Sequence, residues 1–359
     1  MKYPQLLFAL FLLLAVQCKD KEISENQVEL VFQDIDTQLG ISFPPVADDE
    51  QRSFTAPKLA DLNVSKIRIG EDWSLREPVK GEFNWGPLDK RVNWAKENNI
   101  QILLTIQSKG PEWACSSTKN DNSCVYTDNN DFKNYVEALL QRHPNTFYKI
   151  QFGNEWQSDF WYVGTAEEYS TASNIVYDAV QTYSPNTTFV LGGFTTISLR
   201  FLAGCDGAVD SFYNDDGIFF DRAFLDNNCD APEIIEVKKR IADVLTHARY
   251  DEVDIHLYDD AEQWKAYYEN FKQMVDKPII ITEFGGPNVN IEPTDQSYQA
   301  ERTKEYILAI DDLGITEAYQ FKLVEGTKNP AHQNTGLIDA NTLQEKENYR
   351  IFKGFSLQN

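Results

Sequence analysis

The sequence predicts an α/β fold, a closed (β/α)8 or TIM barrel that forms a single domain. About eight short apolar runs alternate along the chain with segments of helical length, and this alternation is typical of parallel strands joined by right-handed crossovers. No linker rich in proline and serine divides the 359 residues. The length and the apolar share of 42% therefore suit one large domain with a proper core.

The first half of the barrel is predicted from a series of apolar runs. A first strand or hairpin is expected at Val28–Ile35 and Leu39–Phe43, and three strands follow at Ser65–Ile69, Ile100–Ile106 and Tyr148–Phe152. Helical segments lie between them at Ala56–Leu62, Leu88–Asn98 and Phe132–Arg142. Pro87 precedes the second helix, as expected for proline in a first helical turn.

The second half repeats the pattern. Its strands are predicted at Thr188–Leu191, Val253–Leu257, Pro278–Thr282 and Thr316–Leu323. Its helices are predicted at Ala166–Tyr183, Ala231–His247, Ala261–Val275, Tyr298–Leu313 and Glu345–Phe355. Two stretches, 108–130 and 194–231, lack this periodicity and are expected to be long loops.

An open, doubly wound sheet is the alternative arrangement of alternating strands and helices. Sheets of that kind commonly carry a phosphate-binding or nucleophile motif after a strand. The chain has no Gly-x-Gly-x-x-Gly after a strand, no Walker A loop and no Gly-x-Ser-x-Gly elbow. The closed barrel is therefore favoured, with its chemistry expected at the carboxyl ends of the strands.

Two glutamates end strands in the same manner. Tyr148–Phe152 runs into Gly153-Asn154-Glu155, and Ile279-Ile280-Ile281 is soon followed by Glu283 and a glycine turn. By strand count the two glutamates end the fourth and seventh strands, so they are expected to face each other across the mouth of the barrel. Paired carboxyl groups can hydrolyse a glycosidic bond, because one protonates the leaving oxygen while the other attacks the anomeric carbon or activates water. A salt-bridge network at the rim is the plainer alternative.

These motifs resemble clan A of the glycoside hydrolases. The resemblance rests on Asn154-Glu155 at the end of strand four and on Glu283 within Ile281-Thr282-Glu283-Phe284-Gly285. It implies a (β/α)8 barrel and a retaining double displacement, with Glu155 as the acid/base and Glu283 as the nucleophile. The run Asn154-Glu155-Trp156 and the segments Phe160-Trp161 and Gly164–Tyr169 are similar to family 39, which includes β-xylosidases.

The resemblance also assigns neighbours to the two acids. Arg68, in Lys66-Ile67-Arg68-Ile69, matches a strand-two arginine close to the nucleophile, and His256 and Tyr258 match a strand-six His-x-Tyr. Asn154 is expected to bind the sugar 2-hydroxyl, Tyr258 to donate to Glu283, and His256 to bind a sugar hydroxyl. An ion pair in the core, a core histidine and ordinary packing are the alternatives for Arg68, His256 and Tyr258.

Further substrate-binding candidates lie just beyond strand ends. Sugar rings stack on aromatic side chains, and four tryptophans follow predicted strands, namely Trp73, Trp113, Trp156 and Trp161. Gln107 and Lys322 follow strands three and eight. Family 39 often has a histidine at the first of these two positions, and strand eight, Tyr319–Lys322, lacks the tryptophan that usually floors the catalytic subsite. Burial in the core is the alternative for each tryptophan.

The N-terminus predicts export. Leu6–Val16 is an apolar block too short to span a bilayer, so residues 1–17 are expected to be a signal peptide. Ala15-Val16-Gln17-Cys18 resembles a bacterial lipoprotein cleavage site, which implies a lipid on Cys18, a tether over 18–26 and the barrel over 27–359. The expected location is the outer membrane or surface of a Gram-negative bacterium. A secreted protein with a chance cysteine is the alternative.

The remaining cysteines support an oxidising compartment. Without Cys18 the chain keeps four, an even number that allows three pairings in an exported protein. The pairing Cys115–Cys124 and Cys205–Cys229 is favoured, because each pair lies within one loop-like segment. No Cys-x-x-Cys occurs, and we expect neither a metal ion nor another cofactor.

The charge limits the partners. A formal charge of −23 repels nucleic acid and anionic membranes, so we expect no nucleic acid and no membrane contact other than the lipid anchor. The expected function is that of a retaining β-glycosidase, a monomer that acts on a plant or algal polysaccharide or its oligosaccharides. A catalytically silent carbohydrate-binding barrel at the cell surface is the alternative, although binding alone would not require both glutamates.

Overall fold

A computed structural model describes residues 32–358. Its main sheet is a closed barrel of eight parallel strands, each paired with its neighbours in the sequence, and the last strand pairs with the first. The strands are β1 (Gln38–Ser42), β2 (Lys66–Glu71), β3 (Gln101–Ile106), β4 (Lys149–Phe152), β5 (Thr188–Phe194), β6 (Glu252–Tyr258), β7 (Ile279–Gly285) and β8 (Glu317–Gln320). The predicted fold class is confirmed.

Helices cover the outside of the barrel. Within the described range they are α1 (Asp49–Asp61), α2 (Trp73–Arg76), α3 (Gly86–Glu97), α4 (Asn129–Arg142), α5 (Ala166–Tyr183), α6 (Thr196–Cys205), α7 (Arg222–Asn228), α8 (Pro232–His247), α9 (Ala261–Lys272), α10 (Gln296–Asp312) and α11 (Glu347–Ser356). None of those in residues 32–358 is both long and apolar enough to cross a bilayer.

The predicted loop over 194–231 is wrong in part. It contains α6, a short hairpin of Phe212–Tyr213 with Phe219–Phe220, and α7. Helix α6 begins where the side chain of Thr195 accepts a hydrogen bond from the backbone N–H of Ser198, a capping contact that ends the β5 strand cleanly. The stretch 108–130 likewise contains a hairpin, Cys115–Asn120 with Ser123–Tyr126.

Both predicted disulfides are present. Cys115 is bonded to Cys124 and Cys205 to Cys229, with Cα–Cα distances of 5.3 and 5.4 Å. The first closes the hairpin after β3 and the second ties the end of α6 to the end of α7. The local pairing is therefore confirmed.

The predictions that concern residues before 32 lie outside the described residues. These are the signal peptide over 1–17, the lipid on Cys18, the tether over 18–26 and the part of the first predicted strand that precedes Phe32. Residues 32–35 are described and form no strand, so the first barrel strand is the segment predicted at Leu39–Phe43.

The interior of the barrel changes from apolar to polar along the strands. Leu103, Val190 and Ile280 form an inner apolar cluster with Tyr319. Two positions further on, β3 and β7 carry Thr105 and Thr282, and β4 carries Gln151 beside Thr105, all buried. Because alternate residues of a strand share a face, this polar layer lies above the apolar one, towards the carboxyl ends of the strands. It forms the floor on which the candidate site is built.

Candidate active site

Glu155 is placed by a tight turn after β4. Gly153 has φ +74°, and a Cβ there would lie 2.6 Å from the hydroxyl of Tyr169, so the turn requires glycine. Glu155 itself adopts a left-handed conformation with φ +43°, which is uncommon for a residue with a side chain. Its two carboxylate oxygens accept hydrogen bonds from Nδ1 of His256 at 2.8 Å and from Nε1 of Trp161 at 2.7 Å.

Glu283 is placed by an irregularity in β7. The register with β6 runs from Ile255 opposite Ile281 to His256 opposite Glu283, so Thr282 is an extra residue. The backbone N–H of Thr282 donates instead to the side chain of Asp254, at 2.7 Å from Oδ1. A bulge of this kind lets two successive side chains face the same side. Thr282 and Glu283 therefore both point into the barrel.

The structure brings the two glutamates together. A carboxylate oxygen of Glu155, a ring nitrogen of His256 and a carboxylate oxygen of Glu283 all lie within 4.8 Å of one another. The Glu155 side chain is 21% exposed and that of Glu283 is 8% exposed, so the first faces solvent more than the second. The two acids thus share one small, half-open space at the mouth of the barrel.

Arg68 holds Glu283 from below. The guanidinium is fully buried and donates through Nη1 to Oε1 of Glu283 at 2.5 Å and through Nη2 to Oδ1 of Asn154 at 2.6 Å. Its Nε donates to Thr105 and Gln151 of the polar layer at 2.9 and 3.0 Å. A buried arginine of this kind needs all of its donors matched, and the strand ends supply the acceptors.

Tyr258 holds the other oxygen of Glu283. Its hydroxyl donates to Oε2 across 2.7 Å. Burial and the negative charge of Glu283 hold the pKa of Tyr258 well above its usual value, so the phenol keeps its proton. The ring stacks on His332 at 4.2 Å between centroids and meets the edge of Phe321 at 6.1 Å. Each carboxylate oxygen of Glu283 therefore accepts one of these two hydrogen bonds, Oε1 from Arg68 and Oε2 from Tyr258.

His256 does not lie where a sugar-hydroxyl ligand would. The side chain is fully buried, and its Nδ1 contacts Glu155 while Nε2 lies 3.3 Å from Oδ2 of Asp254 and 3.8 Å from Oε1 of Glu283. Burial opposes protonation, but the carboxylates of Glu283 and Asp254 outweigh it and raise the pKa of His256 to about 10. The expectation of a sugar contact is wrong, because both ring nitrogens are occupied by carboxylates.

Asn154 keeps one group free for a ligand. Its Oδ1 accepts from Arg68, which fixes the orientation of the amide. Among residues 32–358 no acceptor is bonded to its Nδ2, so this amide nitrogen can donate to a bound molecule beside Glu155. The expected contact of Asn154 with a sugar hydroxyl stays a prediction.

Two of the four tryptophans were misinterpreted. Trp73 and Trp156 are fully buried, and each indole N–H is bonded inside the protein, to Oε2 of Glu77 and to the carbonyl of Gly192. Neither can stack on a sugar, because strand-end position does not decide whether a ring turns towards the mouth or into the shell of helices.

The other two tryptophans are half-buried. Trp161 donates to Glu155 and lies beside Phe160, which is 53% exposed. Trp113 donates to the carbonyl of Glu77, and the ammonium of Lys80 lies 5.3 Å from the centre of its ring. Trp161 therefore contacts the site directly, while the indole N–H of Trp113 is bonded to the end of α2.

Gln107 and Lys322 both lie at the rim and are half-buried. Gln107 packs against β2, since a Cβ on Gly70 would lie 3.0 Å from its Nε2. The ammonium of Lys322 donates to the carbonyl of Gly326 at 2.7 Å. Burial lowers the pKa of Lys322, and the negative charge of Glu283 opposes that shift. At the end of strand eight, the residue whose side chain lies beside Tyr258 is Phe321.

Several site residues were missed by sequence reasoning. Asp254 shares the inward face of β6 with His256 and Tyr258, so the period of two would have found it. Gly193 is needed because a Cβ there would lie 2.4 Å from Nε2 of His256. His332 comes from the segment after β8. It lies far along the sequence from any strand end, so nothing in the sequence marks it.

Two groups of described residues could in principle hold a metal ion. Three ligand atoms lie within 4.8 Å of one another in Glu155, His256 and Glu283, and likewise in Asp215, Asp259 and His332. Each group already contains a guanidinium: Arg68 is bonded to Glu283, and Arg200 lies 3.5 Å from Asp259 and 3.6 Å from Asp215. Because a cation would have to share those carboxylates with a fixed positive charge, we assign a metal to neither.

Comparison with known proteins finds glycoside hydrolases. A family model described as "Glycosyl hydrolase catalytic core" matches residues 209–348, which include β6, β7 and β8. Endo-1,4-beta-xylanase 1 from Gibberella zeae is 26% identical over 74 residues, which are 20% of this chain and 20% of that protein.

Solved structures share the barrel over nearly the whole chain. A family 39 glycoside hydrolase from Bacteroides cellulosilyticus has a TM-score of 0.60 and 16% identity, covering 92% of this chain and 66% of that one. An exo-beta-1,4-mannosidase from an Opitutaceae bacterium has a TM-score of 0.61 and 16% identity, covering 91% and 60%. A Streptomyces cattleya protein solved with Manb1-4GlcNAc has a TM-score of 0.64 and 14% identity, covering 90% and 80%.

At these identities the structural likeness shows a shared fold. The alignments span less than two thirds of the length of the first two proteins, at 66% and 60%.

Proposed function

We propose that this chain, whose residues 209–348 match a glycosyl hydrolase catalytic core within the shared barrel, is a retaining β-glycosidase with Glu155 as the acid/base and Glu283 as the nucleophile. The observation that carries the proposal is that one carboxylate oxygen of Glu155 lies within 4.8 Å of one carboxylate oxygen of Glu283. Retaining enzymes need carboxyl groups about 5–5.5 Å apart, whereas inverting enzymes need roughly 6.5–9.5 Å to admit a water molecule.

The first step forms a covalent intermediate. An oxygen of Glu283 attacks the anomeric carbon while the bond to the leaving oxygen breaks, and that oxygen takes a proton from Glu155. Arg68 and Tyr258 each donate to Glu283, which keeps the carboxylate aligned towards one point above the floor. Asn154 offers its free amide N–H to the sugar 2-hydroxyl, a contact that strengthens in the transition state.

The second step returns the enzyme to its starting state. The Glu155 carboxylate takes a proton from water, the resulting oxygen attacks the anomeric carbon, and the ester to Glu283 breaks. In the structure both oxygens of Glu155 accept hydrogen bonds, from His256 and Trp161, which suits the base form of this residue. Two displacements at one carbon restore its original configuration.

The substrate we propose is a plant or algal polysaccharide or its oligosaccharides with β-linkages. The sequence match is named an endo-1,4-beta-xylanase and one structural match an exo-beta-1,4-mannosidase, and both names refer to β-1,4-linked sugars. The strongly negative surface, with a net charge of −23, disfavours polyanionic chains.

The test uses activated and natural substrates side by side. Nitrophenyl β-xyloside, β-mannoside and β-glucoside and a panel of neutral polysaccharides are incubated with wild type, Glu155→Gln, Glu283→Gln and the exposed control Glu50→Gln. Glu283→Gln is expected to lose all activity, and Glu155→Gln to lose roughly 10²–10⁴-fold on natural glycosides while retaining more on nitrophenyl glycosides, whose leaving group needs less acid.

Stereochemistry is read by NMR of the first-formed anomer, and azide should restore turnover of a nitrophenyl glycoside by Glu155→Ala with a β-glycosyl azide as product. An α-anomer as first product would contradict retention. If wild type cleaves none of the glycosides but binds a polysaccharide, the silent carbohydrate-binding barrel is the correct function instead.

We also propose export and lipid attachment at Cys18. The two disulfides of the barrel support export, because such bonds persist in oxidising compartments. Labelling with a fatty acid analogue in a Gram-negative host should mark wild type and not Cys18→Ser. Equal labelling of both proteins, or of neither, would contradict this attachment.

A further inference from the structure

The hairpin after β5 presents two aromatic rings to solvent. Its residues pair as Phe212 with Phe220 and Tyr213 with Phe219. Neighbouring pairs of an antiparallel hairpin point to opposite faces. The first pair packs inward against Phe201 of α6, whereas Tyr213 and Phe219 are 42% and 51% exposed and lie 4.9 Å apart between ring centres. The rings form an outward-facing pair, and Ile218 beside them is 53% exposed.

The hairpin is held rigidly. The side chain of Asn214 accepts from the backbone N–H groups of Asp216 and Ile218, which fixes the turn. Asn288 and Asn290, after β7, both donate to the carbonyl of Asp215 at 3.0 and 2.8 Å. The Cys205–Cys229 disulfide joins the two ends of the segment that contains the hairpin. An exposed apolar pair on a fixed support is typical of a binding surface.

The hairpin adjoins the candidate active site. Fully buried Arg200 donates through Nη1 to the carbonyl of Tyr213 at 2.9 Å and through Nη2 to the carbonyl of Tyr258 at 3.1 Å. At the tip of the hairpin, Asp215 accepts from Asn329 at 3.2 Å, and Asn329 contacts His332, which stacks on Tyr258. One guanidinium therefore links the backbone of the hairpin to the backbone of Tyr258, the residue that holds Glu283.

The chemistry of this surface fits a neutral sugar chain. Ring faces of pyranoses carry C–H groups that pack on aromatic rings, and ligand sites combine such rings with a few fixed polar groups. Asp215 and Asp216 in the turn disfavour a sulfated or uronic chain, because like charges repel. A protein partner would be expected to bury a larger continuous apolar patch than these three side chains.

We propose that Tyr213 and Phe219 form a platform for a further sugar unit of the polysaccharide whose scissile bond lies between Glu155 and Glu283. This inference rests on the proposed glycosidase function and deepens it. It implies that the natural substrate is a chain longer than the catalytic centre alone can hold. The platform contributes to binding of that chain and not to the chemistry of bond cleavage.

The test separates the platform from the catalytic centre. The double variant Tyr213→Ala/Phe219→Ala is compared with wild type and with the control Leu357→Ala. Leu357 is similarly exposed. It lies at the amino end of the barrel, because the carbonyl of the adjacent Ser356 accepts a hydrogen bond from Asn63. In the inactive Glu283→Gln background, binding is measured by gel retardation with xylan, mannan and laminarin. In the active background, kcat/KM is measured on the best polymer and the best nitrophenyl glycoside.

We expect the double variant to bind the retarding polymer roughly tenfold more weakly and to lose a similar factor of kcat/KM on it. Its kcat/KM on the nitrophenyl glycoside should stay within about twofold, as should both measurements for Leu357→Ala. Equal losses on polymer and nitrophenyl glycoside, unchanged polymer binding, or no retardation of the parent protein by any of the three polymers would overturn the platform. So would light scattering that shows a dimer of wild type and a monomer of the double variant, since the rings would then face a second copy.

The outcomes for the two proposals differ. Platform-dependent retardation without hydrolysis of any glycoside would refute the glycosidase and retain the platform. Hydrolysis of a glycoside, with polymer binding that the double variant leaves unchanged, would retain the glycosidase and refute the platform.

Discussion

Nδ1 of His256 lies 2.8 Å from Oε1 of Glu155, joining two residues 101 positions apart in the chain. The same ring approaches Glu283 at 3.8 Å through Nε2, so one buried imidazole contacts both acids of the site. Because its pKa is raised to about 10, the ring is a cation at neutral pH and offsets part of the repulsion between the two carboxylates. This charge makes the site sensitive to alkaline conditions.

The first prediction concerns stability at high pH. The unfolded pKa of histidine is about 6.5, so the stabilisation from protonated His256 is fully present below that pH and is lost as the pH rises through about 10. The free energy of unfolding of wild type should therefore fall over this window, by on the order of a few kcal/mol. The thermal unfolding midpoint should fall with it. His256→Gln should be less stable at pH 6 and show a flatter profile, while exposed His247→Gln should follow wild type. Parallel profiles for wild type and His256→Gln would contradict the assignment.

The second prediction concerns Gly193. A Cβ at this position would lie 2.4 Å from Nε2 of His256 and 2.7 Å from Oδ2 of Asp254, so Gly193→Ala must displace the ring. We expect a loss of roughly 1–3 kcal/mol of unfolding free energy from this overpacking and at least about a tenfold loss in kcat/KM. Chemical denaturation and kinetics measure both. Gly86→Ala is the control, because its nearest neighbour is 3.8 Å away and it should behave as wild type. A fully active Gly193→Ala would show that His256 can move without consequence.

The third prediction concerns the hydroxyl of Tyr258. Tyr258→Phe keeps the stack on His332 but removes the donor to Oε2 of Glu283. A hydrogen bond to a charged group is worth roughly 1.5–3 kcal/mol, so kcat/KM should fall about 10- to 150-fold while KM changes little. Tyr135→Phe is the matched control, since the buried hydroxyl of Tyr135 has no partner in the described part of the chain and its removal should leave activity unchanged. Wild-type rates for Tyr258→Phe would mean that Arg68 alone aligns Glu283.

The fourth prediction concerns Arg68. Lysine in its place keeps the charge but cannot contact Glu283 and Asn154 at once, because an ammonium lacks the planar fork of guanidinium. Arg68→Lys should lower kcat/KM roughly 100-fold. Arg52→Lys, at a buried arginine that bonds Val46 and Ala47 away from the site, should lose stability without losing activity. Similar kinetic losses in both variants would point to a general effect on folding.

The fifth prediction concerns the Cys205–Cys229 disulfide. The bond spans 24 positions, and replacing both cysteines with serine should cost about 3 kcal/mol of unfolding free energy. Because the platform hairpin lies inside the closed segment, the variant should also lose polymer binding while hydrolysing nitrophenyl glycosides normally. The Cys115–Cys124 pair is the control, since its loss should cost a similar stability and spare the platform. Unchanged polymer binding after loss of Cys205–Cys229 would show that the hairpin holds itself.

Sequence reasoning recovered what depends on local periodicity. Apolar runs located the eight strands, and the acids at the ends of strands four and seven meet because a barrel brings strand ends together. Facts that depend on pairing between strands were out of reach. Nothing in Ile281-Thr282-Glu283 marks a bulge, because the extra residue exists only relative to β6.

The direction of large side chains was equally hidden. Trp73 and Trp156 follow strand ends just as Trp161 does, yet the first two turn into the helix shell and only the last reaches Glu155. The exposed rings of Tyr213 and Phe219 lie instead in the stretch 194–231, which is expected from the sequence to be a long loop. There Phe212 and Phe220 alternate with Tyr213 and Phe219 over two short strands. Two-residue strands are too short for periodicity to register.

The extra residue in β7 fixes how high Glu283 sits in the mouth of the barrel, and so how deep a sugar would sit under the proposed function. Without Thr282 the strand would alternate regularly and Glu283 would still face inward, but about 3.3 Å lower in the barrel. The carboxylate would then be recessed beneath the reach of Glu155. Backbone length, and not side-chain chemistry, thus sets the height of Glu283, and a shorter strand would leave an intact scaffold whose two acids no longer reach one common point.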